Sequence, residues 1–129
     1  MMSEPIVFIT HHKVKEGKLE AFRKFNLEGF QRIQEEKPDT IVMLGYAGEN
    51  STEVSFVHIF PDAEAMDLHF QGVDERANKA YEFIQPMRME IYGLPNDRVL
   101  ASMKQIAESG VSVRIDTDYL GGFLRLKTG

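Results

Sequence analysis

The sequence predicts an α+β domain of βαββαβ order, the split, ferredoxin-like arrangement with an antiparallel sheet. Three observations predict it. Four β-rich runs are interleaved with two amphipathic helical stretches. The two middle runs are separated only by the turn-rich residues Gly48 to Thr52, which suits a hairpin. The third run is apolar on both faces, as a strand at the centre of a covered sheet should be.

Each element follows from local chemistry. Ile6 to His12 lies between Pro5 and the charged stretch Lys13 to Lys18 and reads as the first strand. Gly17 opens a helix whose apolar stripe is Leu19, Phe22, Phe25, Phe30 and Ile33, and Pro38 ends it by pushing its predecessor out of the helical region. Thr40 to Ala47 and Glu53 to Phe60 form the hairpin strands. In the second of these only Ser55 and His58 interrupt the apolar run. Pro61 and Asp62 start the second helix, with Asp62 as N-cap and the stripe Met66, Phe70, Val73, Ala77, Ala80 and Ile84. Gly72 predicts a break in it. Met87, Met89 and Ile91 then alternate with Arg88, Glu90 and Tyr92 in a one-sided fourth strand that Gly93 closes.

Right-handed crossovers place strands one and three at the sheet centre. Helices cover one face of such a domain, so the second apolar face calls for a partner, and a second copy is the expected one. Residues 1–93 make this core. Residues 94–129 form an extension with a helix capped by Asn96 or Asp97, a strand at Val111 to Asp116 and a further apolar strand at Tyr119 to Leu126. The expected shape is a helix and a β-hairpin-like unit that packs on the core or crosses to a partner subunit.

Composition excludes much chemistry. Fifteen Lys and Arg against twenty Asp and Glu leave a formal charge of -5, which repels phosphate backbones and anionic lipid. Nucleic acid and membrane are therefore not expected as partners. With no cysteine there is no disulfide framework, thiolate metal site or thiol nucleophile. The run Ile6 to Ile9 is too short for a secretory signal, and no stretch approaches the roughly 20 apolar residues of a membrane span, so a cytoplasmic protein is expected.

Chemistry must rest on a few polar side chains. His58 sits inside an apolar strand, and the turn at Pro61 brings His69 back over the same sheet. Two readings of the pair stand: a hydrogen-bonded core histidine plus a surface one, or a general base and hydrogen-bond donor at the edge of a cavity. His11 and His12 fall near the far end of strand one, away from His58, so no three-histidine metal site is expected. Asn26 lies within the first helix stripe with Gly29 a turn away, marking either a pocket or a close helix–sheet approach. Tyr46 is a candidate phenol donor. Phe22 and Met66 are apolar candidates for lining a cavity, Met66 being one of several methionines that either fill a core or make a malleable pocket.

The passage Phe60-Pro-Asp-Ala-Glu-Ala-Met-Asp-Leu-His69 and the opening Phe8-Ile-Thr-His-His-Lys-Val-Lys-Glu-Gly-Lys-Leu-Glu-Ala-Phe22 resemble the antibiotic biosynthesis monooxygenase superfamily of dimeric α+β barrels. The likeness spans about residues 5–93. It implies oxygenation of a small aromatic such as a quinol or anthrone by dioxygen, with no cofactor and no metal, in a homodimer. By resemblance His69 is the base or hydrogen-bond partner and His58, Asn26 and Tyr46 are secondary candidates. The haem-degrading branch needs Asn, Trp and His at positions occupied here by Thr10, His69 and Lys79, the chain has no Trp, and that branch is disfavoured. The rival reading is a non-catalytic dimeric barrel that binds an apolar ligand or serves in stress response or regulation.

Overall fold

The computed structural model describes residues 4–50 and 52–125. The chain runs β1 (Ile6–Val14), α1 (Leu19–Glu36), β2 (Val42–Ala47), β3 (Glu53–Phe60), α2 (Ala63–Phe70), α3 (Val73–Ala80), β4 (Ile84–Tyr92), α4 (Asp97–Glu108) and β5 (Ser112–Asp116). One sheet has the order β2-β3-β1-β4-β5. The expected α+β, ferredoxin-like order is present, and β3 pairs with β1 antiparallel at its centre, Phe8 opposite His58.

Alternation decides what each strand buries. In β1 the residues Ile6, Phe8, Thr10, His12 and Val14 are buried beneath the helices, as are Val54, Phe56, His58 and Phe60 in β3. The helices hold this face through two apolar clusters. Phe22 of α1 packs with Val14, Val54, Phe56 and Ile84. Met66 and Phe70 of α2 pack with Ile6, Phe60 and Ile91, joined by Val99 and Met103 of α4. The opposite, open face carries Val7, Ile9, Val57 and Ile59, all half-buried, with the exposed Leu44 and Tyr46.

Local signals behave as their chemistry requires. Asp62 Oδ1 accepts from Ala65 N at 2.8 Å and caps α2, and Asn96, rather than Asp97, caps α4 through Val99 N. Gly72 has φ 81° and separates α2 from α3. That left-handed conformation suits a residue without Cβ.

Three expectations require correction. Ile84 is not the end of a helix stripe: it opens β4 opposite Val14, because the chain turns at Tyr81 to Phe83. The fourth strand begins before the expected Met87, so Pro86 lies inside β4, where the pairing shifts between His11 and His12, and the irregularity accommodates a residue that has no N–H to give the ladder. The β-hairpin-like end of the extension is absent among the described residues. β5 joins the edge of β4 in parallel, reached through α4, and residues 117–125 form no strand. Gly121 and Gly122, at φ 131° and 148°, interrupt that apolar run, and Leu120 and Phe123 stay exposed. The expected end at Leu126 lies outside the described residues.

Gly93 has φ 122°, and a Cβ there would stand 2.9 Å from Ile6 Cγ1 and 3.2 Å from Pro5 O. Gly93→Ala should therefore destabilise the fold by about 2 kcal/mol or more, combining an unfavourable backbone region with a clash. Urea denaturation at neutral pH measures it, and an unchanged midpoint would contradict the tight closure of β4 on β1.

Candidate active site

A cavity of about 920 Å³ lies between the sheet and the helices. Its floor is β1 and β3, with Phe8, Thr10, His12, Phe56 and His58, and its walls include Phe22 of α1 and Phe70 of α2. The size is that of a small-molecule site, and the apolar side chains of the sheet and α1 share its lining with polar and charged ones, chiefly those of α3 and of the end of α1.

Pairing opposite Phe8 puts His58 on the buried face, where its Nδ1 donates to Phe8 O at 2.9 Å. Because a carbonyl only accepts, Nδ1 carries the proton and Nε2 is left as the lone pair of the neutral ring. The ring lies between Phe8, at 4.9 Å between centroids, and Phe60, at 6.2 Å. His69 descends from α2 onto it, centroids 5.4 Å apart and planes at 76°. Thr40, just before β2, meets His69 Nδ1 through its Oγ1 at 2.8 Å.

Two cations grip the end of α2 that carries His69. Lys37 Nζ donates to Leu68 O at 2.8 Å and Gln71 O at 3.2 Å. Arg76 of α3 donates to His69 O and, at 3.1 Å, to Gln71 O. These groups satisfy carbonyls that a helix terminus leaves free and oppose the negative end of its dipole.

Burial lowers His58 to about 4 and His69 to about 3, the latter also under the positive influence of His58, Arg76 and Lys37. Both rings are neutral at pH 7. A neutral imidazole beside such a cavity can accept a proton from a ligand or donate an N–H to an oxygen that is becoming negative.

Of the residues singled out from sequence, His58, His69, Asn26 and Phe22 line this one cavity. Tyr46 does not. It alternates with Val42 and Leu44 onto the open face, pairs with Ser55 and is 60% exposed. Met66 is fully buried in the cluster below α2 and does not line the cavity, so its role is core filling. His11 and His12 diverge, as neighbours on a strand must. His11 meets Ser55 Oγ at 2.9 Å and Glu90 Oε2 at 3.2 Å on the open face, while His12 lines the cavity. Three site residues were not anticipated: His12, whose parity with Phe8 and Thr10 was the available signal, and Arg76 and Lys37, which no spacing rule marks. Among the described residues no three His, Asp or Glu side chains converge to hold a metal ion.

No family model matches the chain, and no curated protein matches it. Solved structures do. MupZ from Pseudomonas fluorescens superposes with a TM-score of 0.72 at 16% identity over 95% of this chain and 96% of its own. A structure described as a putative antibiotic biosynthesis monooxygenase from Bacteroides thetaiotaomicron gives 0.61 at 16% identity over 96% and 97%. The chain has the antibiotic biosynthesis monooxygenase fold. SnoaB from Streptomyces nogalater, described as a cofactor-independent oxygenase, shares that fold with a TM-score of 0.60 at 9% identity, over 73% of this chain and 96% of its own. MupZ and the Bacteroides protein thus match the fold with its C-terminal extension, whereas SnoaB matches a shorter part of this chain.

The lowered histidines make stability depend on pH. Their folded values, about 4 for His58 and about 3 for His69, lie below the 6.5 of the unfolded chain, which therefore binds more protons as pH falls. The stabilisation is complete above about pH 6.5 and is lost progressively toward pH 4, by at most about 1.4 kcal/mol per pH unit per histidine. Urea midpoints measured between pH 7.5 and 4.5 should fall along this limb, and His58→Asn should make it shallower. A limb of equal slope in the variant would show that His58 is not held neutral by the fold.

Proposed function

We propose that the protein is a cofactor-independent monooxygenase of small, electron-rich aromatics of the quinol or anthrone type. The observation that carries this reading is the pair of neutral histidines, 5.4 Å apart, on a large cavity beside the aromatic side chains of Phe8, Phe56 and Phe70. In this reading His58 Nε2 takes the acidic proton of the substrate, since its Nδ1 is engaged by Phe8 O. His69, steadied by Thr40, offers a hydrogen bond to the oxyanion. The substrate anion passes one electron to dioxygen, and the two radicals combine to a peroxide at the same carbon. Where that carbon bears a hydrogen, as in an anthrone or a phenol with a free position opposite its hydroxyl, loss of water leaves a carbonyl, so one oxygen atom is retained, the other departs as water, and the substrate is oxidised to a quinone. The apolar walls would limit access of water to the anion and peroxide.

Oxygen uptake with anthrone, corrected for its uncatalysed oxidation, tests it. The wild-type protein should consume oxygen with formation of quinone, His58→Ala should lower kcat by about 100-fold, and His69→Ala by about tenfold or more. Uptake that is equal in wild type and both variants, or absent throughout, would remove the mechanism. Binding without uptake would assign the cavity to ligand binding alone.

The same reading includes a homodimer closed over the open face, where Val7, Ile9, Val57 and Ile59 form an apolar band across two central strands. Sedimentation equilibrium at micromolar concentration should give twice the mass of the chain. Val57→Arg should shift the equilibrium to the folded monomer, and a wild-type monomer would overturn the assembly.

A further inference from the structure

The cavity has a second polar end. His12 is on the same face of β1 as Phe8, four residues along, or about 13 Å at ~3.3 Å per residue. The His58 and His69 pair belongs to the Phe8 end. His12 is 7% exposed, and neither ring nitrogen reaches solvent or has a hydrogen-bond partner among the described residues. Its ring leans on Phe56, with centroids 5.6 Å apart. Asn26 and Tyr81 line the cavity too. Asn26 lies near Val54, the β3 partner of His12, in a small adjoining recess, and Tyr81 is held to the end of β1 by Lys15 Nζ on its carbonyl.

A buried polar ring with two unpaired nitrogens is a standing cost to the fold that an apolar side chain would avoid, and such a group calls for an explanation. We propose that His12, with Asn26 and Tyr81 lining the same cavity, forms a second polar subsite that binds an oxygen substituent at the far end of an elongated aromatic ligand. The site then selects ligands oxygenated at both ends. In this proposal the ring turns about its bond to Cβ when the ligand binds and brings a nitrogen, enclosed in the free protein, to the space the side chain lines. Burial, aided by His11 and His58, lowers His12 to about 4, so the ring offers one donor and one acceptor, as a hydroxyl does. The inference rests on reading the cavity as an aromatic site but not on turnover.

Binding of two unreactive probes, 2-hydroxyanthraquinone and 2,6-dihydroxyanthraquinone, separates these possibilities. Wild type should prefer the dihydroxy compound by about tenfold in Kd, the scale of one net hydrogen bond. His12→Phe should erase that preference, and His12→Gln should retain part of it. A preference that survives in His12→Phe, or is absent in wild type, overturns the subsite. Should His12→Phe fail to fold, nitrogen resonances of the His12 imidazole in wild type decide: they should move with the dihydroxy probe and not with the monohydroxy one, and equal behaviour overturns the proposal. A preference without oxygen uptake would defeat only the proposed oxygenation, whereas binding of neither probe would defeat both.

Discussion

The antiparallel register of β1 with β3, Phe8 opposite His58, is the constraint on which the rest depends. Side chains alternate across a sheet, so this single pairing sorts the central residues into those that face the helices and those that face away. It places Phe56, His58 and Phe60 beneath α1 and α2 together with Phe8, Thr10 and His12. A slip of one residue would turn His58 to the open face and put Val57 and Ile59 under the helices. The hydrogen bond from His58 Nδ1 to Phe8 O belongs to the same register, and it also selects the tautomer. Sheet pairing and site chemistry are therefore one geometric fact.

Electrostatics around the site follow from that burial. His58 is enclosed by Phe8, Phe60 and His69, which makes its charged form unfavourable, and His69 bears the further positive influence of Arg76 and Lys37. Those cations are not adventitious neighbours. They cap the carbonyls of α2 around Leu68, His69 and Gln71, so the device that ends the helix also helps to keep its histidine neutral. A ring this reluctant to hold a proton is a weak base alone. Its proton affinity rises only when an anion forms beside it in a medium of low dielectric, which ties proton transfer to the presence of an acidic ligand.

Much of this was legible in the sequence, and the residues show why. The stripe of α1, the alternation of β3, Asp62 as a cap and Gly72 as a break are local signals with periods or positions of their own, and each has its counterpart in the fold. The nearness of His58 and His69 followed from a strand turning at Pro61 into a helix. Tyr46 and Met66 were misplaced because their surroundings are tertiary: parity sends Tyr46 outward, and α4, a distant part of the chain, completes the cluster that encloses Met66. His12 was judged by its distance along the strand from His58, when its parity with Phe8 was the more informative property. Pro86 inside β4 was hidden because an irregular pairing permits what regular strand chemistry forbids. Arg76 and Lys37 act on backbone carbonyls, and no pattern of side chains records that.

The fold holds its cavity open by dividing its core. One cluster forms around Phe22, Phe56 and Ile84 and the other around Met66, Ile91 and Met103, and residues of both line the space. Had α3 packed as α2 does, the gap would close, yet α3 buries none of its residues. The extension compensates at the other end, since Val99 and Met103 of α4 are almost wholly buried among Ile6, Phe60 and Ile91. Stability is thus supplied by the clusters under α1 and under α2 and α4, which lets α3 and His12 serve a purpose that packing alone would not favour. Unpaired nitrogens and an uncommitted helix lie on the same cavity, and that coincidence is what separates a binding site from a defect in the core.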